Sequence, residues 1–313
     1  MRHAIEFVLV RALLTLVAVL PDALVRTGGT ALGLAFYAVD GAHRRIALQN
    51  LATAFPQRSL RERRVIARRA FVHFGQLMME LLKFSTLSRD KMLARVQIDG
   101  EDRALTAYAR RKGVLFVTGH FGFWELQALV HAIRIEPVGV IGRALDNPRL
   151  NRLLERIRQR TGNSVIYRKR ALRRVMRMLQ EGHGVAVMID QHITSRDAIY
   201  VDFFERPAAT TSAIAALALR TGAPVVPVFA LPLGYGRYRM IYEHPIDPPR
   251  ADAPDAIREF TQRCTDVLEM YVRRDPHLWL WMHRRWRDGA AAAHNSRGLF
   301  PAAQKDQEPL DGV

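Results

Sequence analysis

Three groups of residues in this chain have the types and spacing to do chemistry. The first is Gly119-His120-Phe121-Gly122-Phe123-Trp124-Glu125, which follows a short β-type run and leads into a helical pattern. In open α/β sheets the carboxyl ends of the strands open onto the ligand crevice, so a histidine there is well placed to act. Glu125 lies five residues on and is expected, one helical turn away, to fix the imidazole tautomer. Such a dyad makes histidine a general base towards a hydroxyl and holds the imidazolium that results. The spacing alone is weak, because His-x4-Glu arises often by chance and a lone histidine is more often a satisfied structural group.

The second group is the stretch 143–177, with twelve Arg or Lys against Asp146 and Glu155. A solvated helix face accounts for most of these cations. A cluster this dense beside a crevice could also bind phosphate, or lend one guanidinium to a developing oxyanion. The third group is Ile189-Asp190-Gln191, closing another β run, followed by Val201-Asp202-Phe203-Phe204-Glu205-Arg206-Pro207-Ala208-Ala209-Thr210. A carboxylate at a strand end can order a basic site. The Phe-Phe pair could line an apolar channel, or be ordinary core aromatics beside a turn. No phosphate-binding Gly-rich loop, dinucleotide fingerprint or metal-ligand cluster is present in the sequence, and no cofactor is expected.

The elements that must position these residues follow from periodicity. Short β runs are expected at 114–118, 137–141, 185–189, 224–231 and 237–242, with helices at about 123–133, 148–161, 171–181, 209–221 and 254–273. Alternation of this kind predicts an α/β fold with a mixed, mainly parallel sheet flanked by helices. A further helix over 59–84 opens on the capping-box pattern Ser59-x-x-Glu62, and Arg61, Arg63, Arg64, Arg68 and Arg69 crowd its first half. Residues 4–20 are nearly all apolar but carry Glu6 and Arg11, and seventeen residues are short of the roughly 20 needed to span a bilayer. A helix dipping into the cytoplasmic leaflet or a marginal span is expected there, with a buried core helix as the alternative. The chain therefore divides into a membrane-associating helical segment over 1–39, a domain over 40–289, and a disordered tail over 290–313 rich in Ala, Pro, Gln and Gly.

The charge balance is +17 over 313 residues, and five of the 47 cations are lysine, the rest arginine. A hydrophobic content of 49% supports a buried core and excludes a disordered basic tail as the whole molecule. The single cysteine, Cys264, excludes an intramolecular disulfide and any multi-cysteine zinc site. Nucleic acid, an anionic membrane, an acidic protein and a phosphorylated substrate are the partners that such a charge admits.

Taken in order, Asn50-Leu51 through Phe55-Pro56, the 119–125 block, Asn147-Pro148, Asp190-Gln191, the 203–210 block and Trp281-Met282-His283-Arg284-Arg285-Trp286 resemble the bacterial lipid A biosynthesis acyltransferases. That family is the late, lauroyl- and myristoyl-transferring branch of the lysophospholipid acyltransferase-like superfamily. The resemblance covers roughly residues 40–287. It implies a glycerolipid acyltransferase-like domain held at the cytoplasmic face of the bacterial inner membrane. It also implies transfer of a fatty acyl chain from acyl carrier protein or acyl-CoA to a hydroxyl of a phosphorylated glycolipid. By motif, His120 would be the general base and Glu125 its orienting partner. Arg158 would serve the thioester oxyanion or the donor, and Asp190 would hold that arginine. Substrate contacts are expected at Arg143, Asn147, Gln191, Phe203, Phe204, Thr210, His283 and Arg284. The resemblance implies no nucleic-acid partner, while an acidic donor protein, a phosphorylated acceptor and an anionic bilayer each suit the basic balance. Phe123 and Glu205 depart from the family pattern, which more usually has Asn before Trp-Glu and Gly after Phe-Phe. Other readings are a different glycolipid or amino-acid lipid as acceptor, or a basic membrane- or nucleic-acid-binding protein without catalysis.

Overall fold

The computed structural model describes residues 2–167, 171–194, 198–250 and 253–287. The expected tail over 290–313 lies outside the described residues. In chain order the helices and strands are α1 (Arg2–Val19), α2 (Asp22–Val39), α3 (Gly41–Ala54), α4 (Leu60–Phe84), α5 (Arg89–Leu93), β1 (Val96–Asp99), α6 (Glu101–Ala109) and β2 (Val114–Thr118). There follow α7 (Trp124–Arg134), β3 (Gly139–Gly142), α8 (Pro148–Gln159), β4 (Ser164–Tyr167), α9 (Ala171–Gln180) and β5 (Gly184–Met188). The chain continues through β6 (Ala198–Phe203), β7 (Arg206–Thr211), α10 (Ala213–Thr221), β8 (Val225–Gly234), β9 (Arg237–Tyr242) and α11 (Ala256–Arg274), then a 3-10 turn at Pro276–Leu278.

Seven strands form one sheet in the order β1-β9-β8-β2-β5-β3-β4. Every neighbouring pair is parallel except β8 with β9. The expectation of a mixed, mainly parallel sheet flanked by helices is met. Burial on both faces explains the run Val114–Thr118, in which all five residues are buried. Leu115 and Val117 face one core with Val185, Val225 and Phe229, against α10 and α11. Val114 and Phe116 face the other with Val226, Val228 and Met240, against α6 and α7.

The segment expected as a helix over 209–221 starts later, because Thr210 and Thr211 belong to β7. A two-residue loop, Phe204-Glu205, joins β6 to β7, and both residues have positive φ, 57° and 58°. This is the backbone of a hairpin turn that favours Gly or Asn. Sequence periodicity missed β1 and β4, which have four residues each, and this hairpin.

The amino-terminal helices pack on the domain instead of standing apart. Gly29 and Gly33 of α2 lie against the backbone of α4 around Gly75, and a Cβ on Gly75 would collide with the Gly29 carbonyl oxygen. Ser59 and Glu62 make the expected reciprocal capping box at the start of α4. On α1 the buried side chain of Asn147 donates to the His3 carbonyl at 2.9 Å and to Glu6 at 2.8 Å. Val8, Leu9, Leu16 and Val19 on α1, with Leu24 and Leu32 on α2, remain exposed. No helix among the described residues is long and apolar enough to cross a membrane.

Candidate active site

Two parallel strands end level with one another, and that register builds the site. Thr118, the last residue of β2, pairs with Met188, the last of β5. His120 and Asp190 each follow two residues later, so their side chains meet at the carboxyl edge of the sheet. The His120 Nδ1 donates to Asp190 Oδ1 at 2.8 Å, and the His120 backbone N–H donates to Asp190 Oδ2 at 2.7 Å. The Trp279 indole N–H also donates to Oδ2, at 2.8 Å. Asp190 is therefore satisfied on both oxygens, with 2% of its side chain exposed against 14% for His120.

This corrects the expected pairing. Glu125 was to orient His120 and Asp190 to hold Arg158; the two carboxylates have exchanged partners. Glu125 takes Arg158 in a bidentate pair, with Nε to Oε2 at 2.9 Å and Nη2 to Oε1 at 2.5 Å. The physical reason lies in the backbone between His120 and Glu125. Helix α7 begins only at Trp124, and Gly122 has φ +59° in the loop before it. Five residues are about 1.4 turns of a helix, and here most of the intervening backbone is loop, so the spacing does not bring Glu125 onto the imidazole.

The loop that presents His120 is pinned from three sides. The Leu280 N–H donates to the His120 carbonyl at 3.0 Å, and the Gly122 N–H donates to the Leu278 carbonyl at 3.0 Å. The Phe123 N–H donates to the Ala230 carbonyl at 2.9 Å. A Cβ at Gly122 would collide with that same carbonyl oxygen, which is why glycine stands there. From α4, His73 Nε2 donates to the Gly122 carbonyl at 3.2 Å. Burial holds His73 down to about 4, so it is neutral and acts as a simple donor. Phe123, the first departure from the family pattern, is fully buried against Phe84 and Tyr238.

The electrostatics follow from these partners. Burial alone would lower the pKa of His120, but the charge and hydrogen bond of Asp190 outweigh it, and it lies above the ordinary 6.5. Burial likewise opposes ionisation of Asp190, yet the His120 charge and its hydrogen bonds carry it down to about 2. The imidazole Nε2 points away from Asp190, with the Gln191 amide nitrogen at 3.4 Å and the Trp124 ring edge-on at 5.1 Å between centroids. An imidazole so held offers a lone pair at Nε2 and a fixed N–H at Nδ1. That is the state of a general base.

Behind the Glu125–Arg158 pair runs an apolar slot between α7 and the sheet. Trp124, Ala128, Val138, Val140, Met188 and Met240 line it, and it reaches inward to His131 and Tyr242. Its inner end is a neutral network: His131 Nδ1 lies 2.7 Å from the Tyr242 hydroxyl and Nε2 lies 3.0 Å from the Tyr108 hydroxyl. Burial pushes His131 down to about 3.

The other expected contacts divide. Gln191 lies at the imidazole, and His283 Nε2 accepts from the His192 N–H at 2.9 Å. Burial holds His283 down to about 4. Asn147 is a buried cap whose side-chain oxygen accepts from the Arg149 and Leu150 N–H groups of α8. Arg143 is exposed and paired with Asp146, and Arg284 is exposed. Phe203, Phe204 and Thr210 are corrected from channel to core. Phe203 stacks on Trp286 and meets Trp279, Phe204 meets Trp281 and Phe55, and Thr210 is fully buried.

Two positioning residues escaped the sequence reading. Trp279 binds Asp190, as described above. Arg285 is almost wholly buried and donates to the Ala209 carbonyl and the Thr210 hydroxyl, fastening the β6–β7 hairpin. Desolvation lowers its guanidinium to about 10, so it stays charged. Arg285 lies in a run rich in both tryptophan and arginine, and a buried arginine cannot be told from a solvated one by sequence.

Known proteins share this chain's sequence along most of its length. It is 28% identical to the lipid A biosynthesis lauroyltransferase of Escherichia coli K12, over 88% of this chain and 89% of that one. It is 24% identical to the myristoyltransferase of the same pathway and strain, over 82% and 80% of the two chains. It is 25% identical to the palmitoleoyltransferase, over 77% and 78%. A solved structure, the 1-acyl-sn-glycerophosphate acyltransferase PlsC from Thermotoga maritima, covers 79% of this chain at 17% identity with a TM-score of 0.36, too low to extend the argument. The family model for bacterial lipid A biosynthesis acyltransferases matches residues 1–288, and the chain belongs to that family of acyl-transferring enzymes.

Proposed function

We propose that this enzyme transfers a fatty acyl chain from a thioester donor to a hydroxyl of a phosphorylated lipid A precursor, with His120 as general base and Asp190 as its orienting carboxylate. The observation that carries this reading is the His120–Asp190 pair at the carboxyl edge of the sheet, with Nε2 directed away from the carboxylate. His120 Nε2 takes the proton of the acceptor hydroxyl as its oxygen attacks the thioester carbonyl. The carbonyl electron pair moves onto oxygen, and the tetrahedral intermediate collapses to ester and thiolate. The imidazolium returns the proton to the departing sulfur. Asp190 stabilises the imidazolium while it exists and keeps Nδ1 protonated before and after.

Arg158 stands as the oxyanion donor. Its Nε and Nη2 are committed to Glu125, which leaves Nη1 to meet the developing charge. Glu125 fixes the guanidinium plane. The apolar slot behind this pair is the seat for the acyl chain. About 40 Å³ of it is wide enough for water, so a chain must push its walls apart, and the flexible Met188 and Met240 suit that yielding. The donor is acyl carrier protein or acyl-CoA. The exposed apolar residues of α1 and α2 dip into the cytoplasmic leaflet of the inner membrane.

The test is acyl transfer by the purified full chain to a lipid A precursor lacking one acyl group, followed by mass spectrometry. Product heavier by one acyl chain is expected with at least one donor, and His120→Ala should reduce it by at least about 10²-fold. Turnover by His120→Ala at the wild-type rate would remove the base from the mechanism.

A further inference from the structure

A basic cleft separate from the dyad lies where α1 crosses α8. Its walls are Phe7 of α1 and Arg149, Arg152 and Arg156 of α8, enclosing about 310 Å³. The three arginines stand at i, i+3 and i+7, so at 100° per residue they share one face of the helix. Arg158 falls on the opposite face, which is why it turns inward to Glu125. Among the described residues none of the three has a carboxylate partner, although Glu155 and Asp146 belong to the same segment. Glu155 is taken by the Tyr167 hydroxyl and Asp146 by Arg143. Three like charges on one face repel each other unless an anion joins them.

Sequence-distant elements build this cleft. Asn147 ties α8 to the first turn of α1 through His3 and Glu6, and Glu6 in turn holds Arg2 at 2.7 Å. That tie seats the Phe7 ring against the arginines. The remaining surface of α1 carries the exposed Ile5, Val8 and Leu9, so the cleft opens at the rim of the apolar face.

We infer that the cleft formed by Phe7, Arg149, Arg152 and Arg156 binds a phosphate monoester on the sugar headgroup of the acceptor lipid. This rests on the reading of the acceptor given above. A phosphate monoester is a compact anion with several acceptor oxygens, which forked guanidinium donors match. Its position at an apolar rim favours a lipid headgroup entering from the bilayer over an acidic carrier protein, which would dock from the aqueous side. The headgroup phosphate held there would set which sugar hydroxyl reaches His120.

The experiment uses the full chain and neutral phosphatidylcholine vesicles doped with one of three probes. These are a phosphorylated, acylated glucosamine disaccharide, the same lipid with its phosphates removed, and phosphatidylglycerol. The wild type should prefer the phosphorylated over the dephosphorylated glycolipid, and the Arg149→Gln/Arg152→Gln/Arg156→Gln variant should lose about tenfold or more of that preference. Binding to phosphatidylglycerol vesicles should change far less. Retained preference overturns the inference, and so does an equal loss on phosphatidylglycerol, which marks general surface charge. Loss of acyl carrier protein binding with the glycolipid preference intact also overturns it and assigns the face to the donor. Arg152→Gln alone and the triple Lys variant, which keeps the charge, guard against misfolding: the Lys variant should hold most of the preference. The two readings fail separately. Wild-type acyl transfer with an intact preference in the triple Gln variant sinks the cleft alone. A lost preference in an enzyme that acylates no lipid A precursor sinks the acceptor reaction alone.

Discussion

His120 and Asp190 meet because two paired strands end at the same level, and each residue sits two positions beyond its strand. Their separate burial would make one a poor base and the other a reluctant anion; together each holds the other charged or ready to be. Arg158 is caught between two demands, since Glu125 must fix it without wholly cancelling it. Replacing Arg158 by Met removes the proposed oxyanion donor while leaving the His120–Asp190 pair intact. We expect kcat to fall by roughly 10²- to 10³-fold with a smaller change in KM, read in steady-state acyl-transfer assays. An unchanged kcat would assign Arg158 a purely structural role.

Among the elements, the β6–β7 hairpin shows how local strain and a buried cation are balanced. Phe204 and Glu205 both occupy the left-handed region, and neither is the residue such a turn prefers. Arg285 binds the β7 backbone from beneath, and Phe204 and its aromatic neighbours anchor the loop. Glu205 is exposed, and its contact with Arg273 at 3.7 Å contributes little. Glu205→Gly should therefore raise stability by about 1 kcal/mol in denaturant melts. A lower midpoint would mean that the Arg273 contact outweighs the strain.

This scale is also where sequence reading succeeds and stops. The strands carrying the site were legible because apolar runs such as Val114–Thr118 are too short for a helix and rich in β-branched and aromatic residues, and β9 falls on its expected bounds. The pairing of Glu125 was not legible. α7 starts within one residue of its expected bound, but the turn at Gly122, with its positive φ, sets where Glu125 points and leaves no mark in the spacing. The Asp190 partnership depends on strand register, a long-range property. Phe203 and Phe204 read equally well as channel or core, because burial is decided by what packs on them from 279–286.

At the scale of the whole molecule, α1 and α2 are fastened to the catalytic domain by specific contacts instead of hanging from it. Glycines let α2 sit on α4, and Asn147 clamps α1 to α8. Between α2 and α4 lies Glu80, 8% exposed, with Arg26 at 3.6 Å. Burial raises its pKa from 4.5 to about 7, against the pull of Arg26. The folded state thus keeps a proton that the unfolded chain gives up near 4.5. Stability should fall as pH rises from there through about 7, then level off. Glu80→Gln lacks this slope, so its advantage over the wild type should grow by on the order of 3 kcal/mol between about pH 5 and pH 8. Thermal melts across that window check it, and parallel curves for the two proteins would show that Glu80 is not a buried acid. The +17 balance takes its meaning here too. Under the function proposed above it suits a face that meets a phosphorylated acceptor and an anionic membrane.

Under the proposed mechanism Asp190, and not Glu125, orients the His120 imidazole, and this is read from the pH profile of kcat/KM for Asp190→Asn beside Glu125→Gln. Wild-type activity should rise with pH through an apparent pKa above 6.5, as the imidazolium loses its proton and becomes a base. Asp190→Asn should cost about 10²- to 10⁴-fold in rate and move that limb to lower pH, because the imidazolium loses its principal anion. Glu125→Gln should leave the limb close to its wild-type position while lowering the rate through Arg158. A limb that stays fixed in Asp190→Asn and shifts in Glu125→Gln would give the orienting role to Glu125.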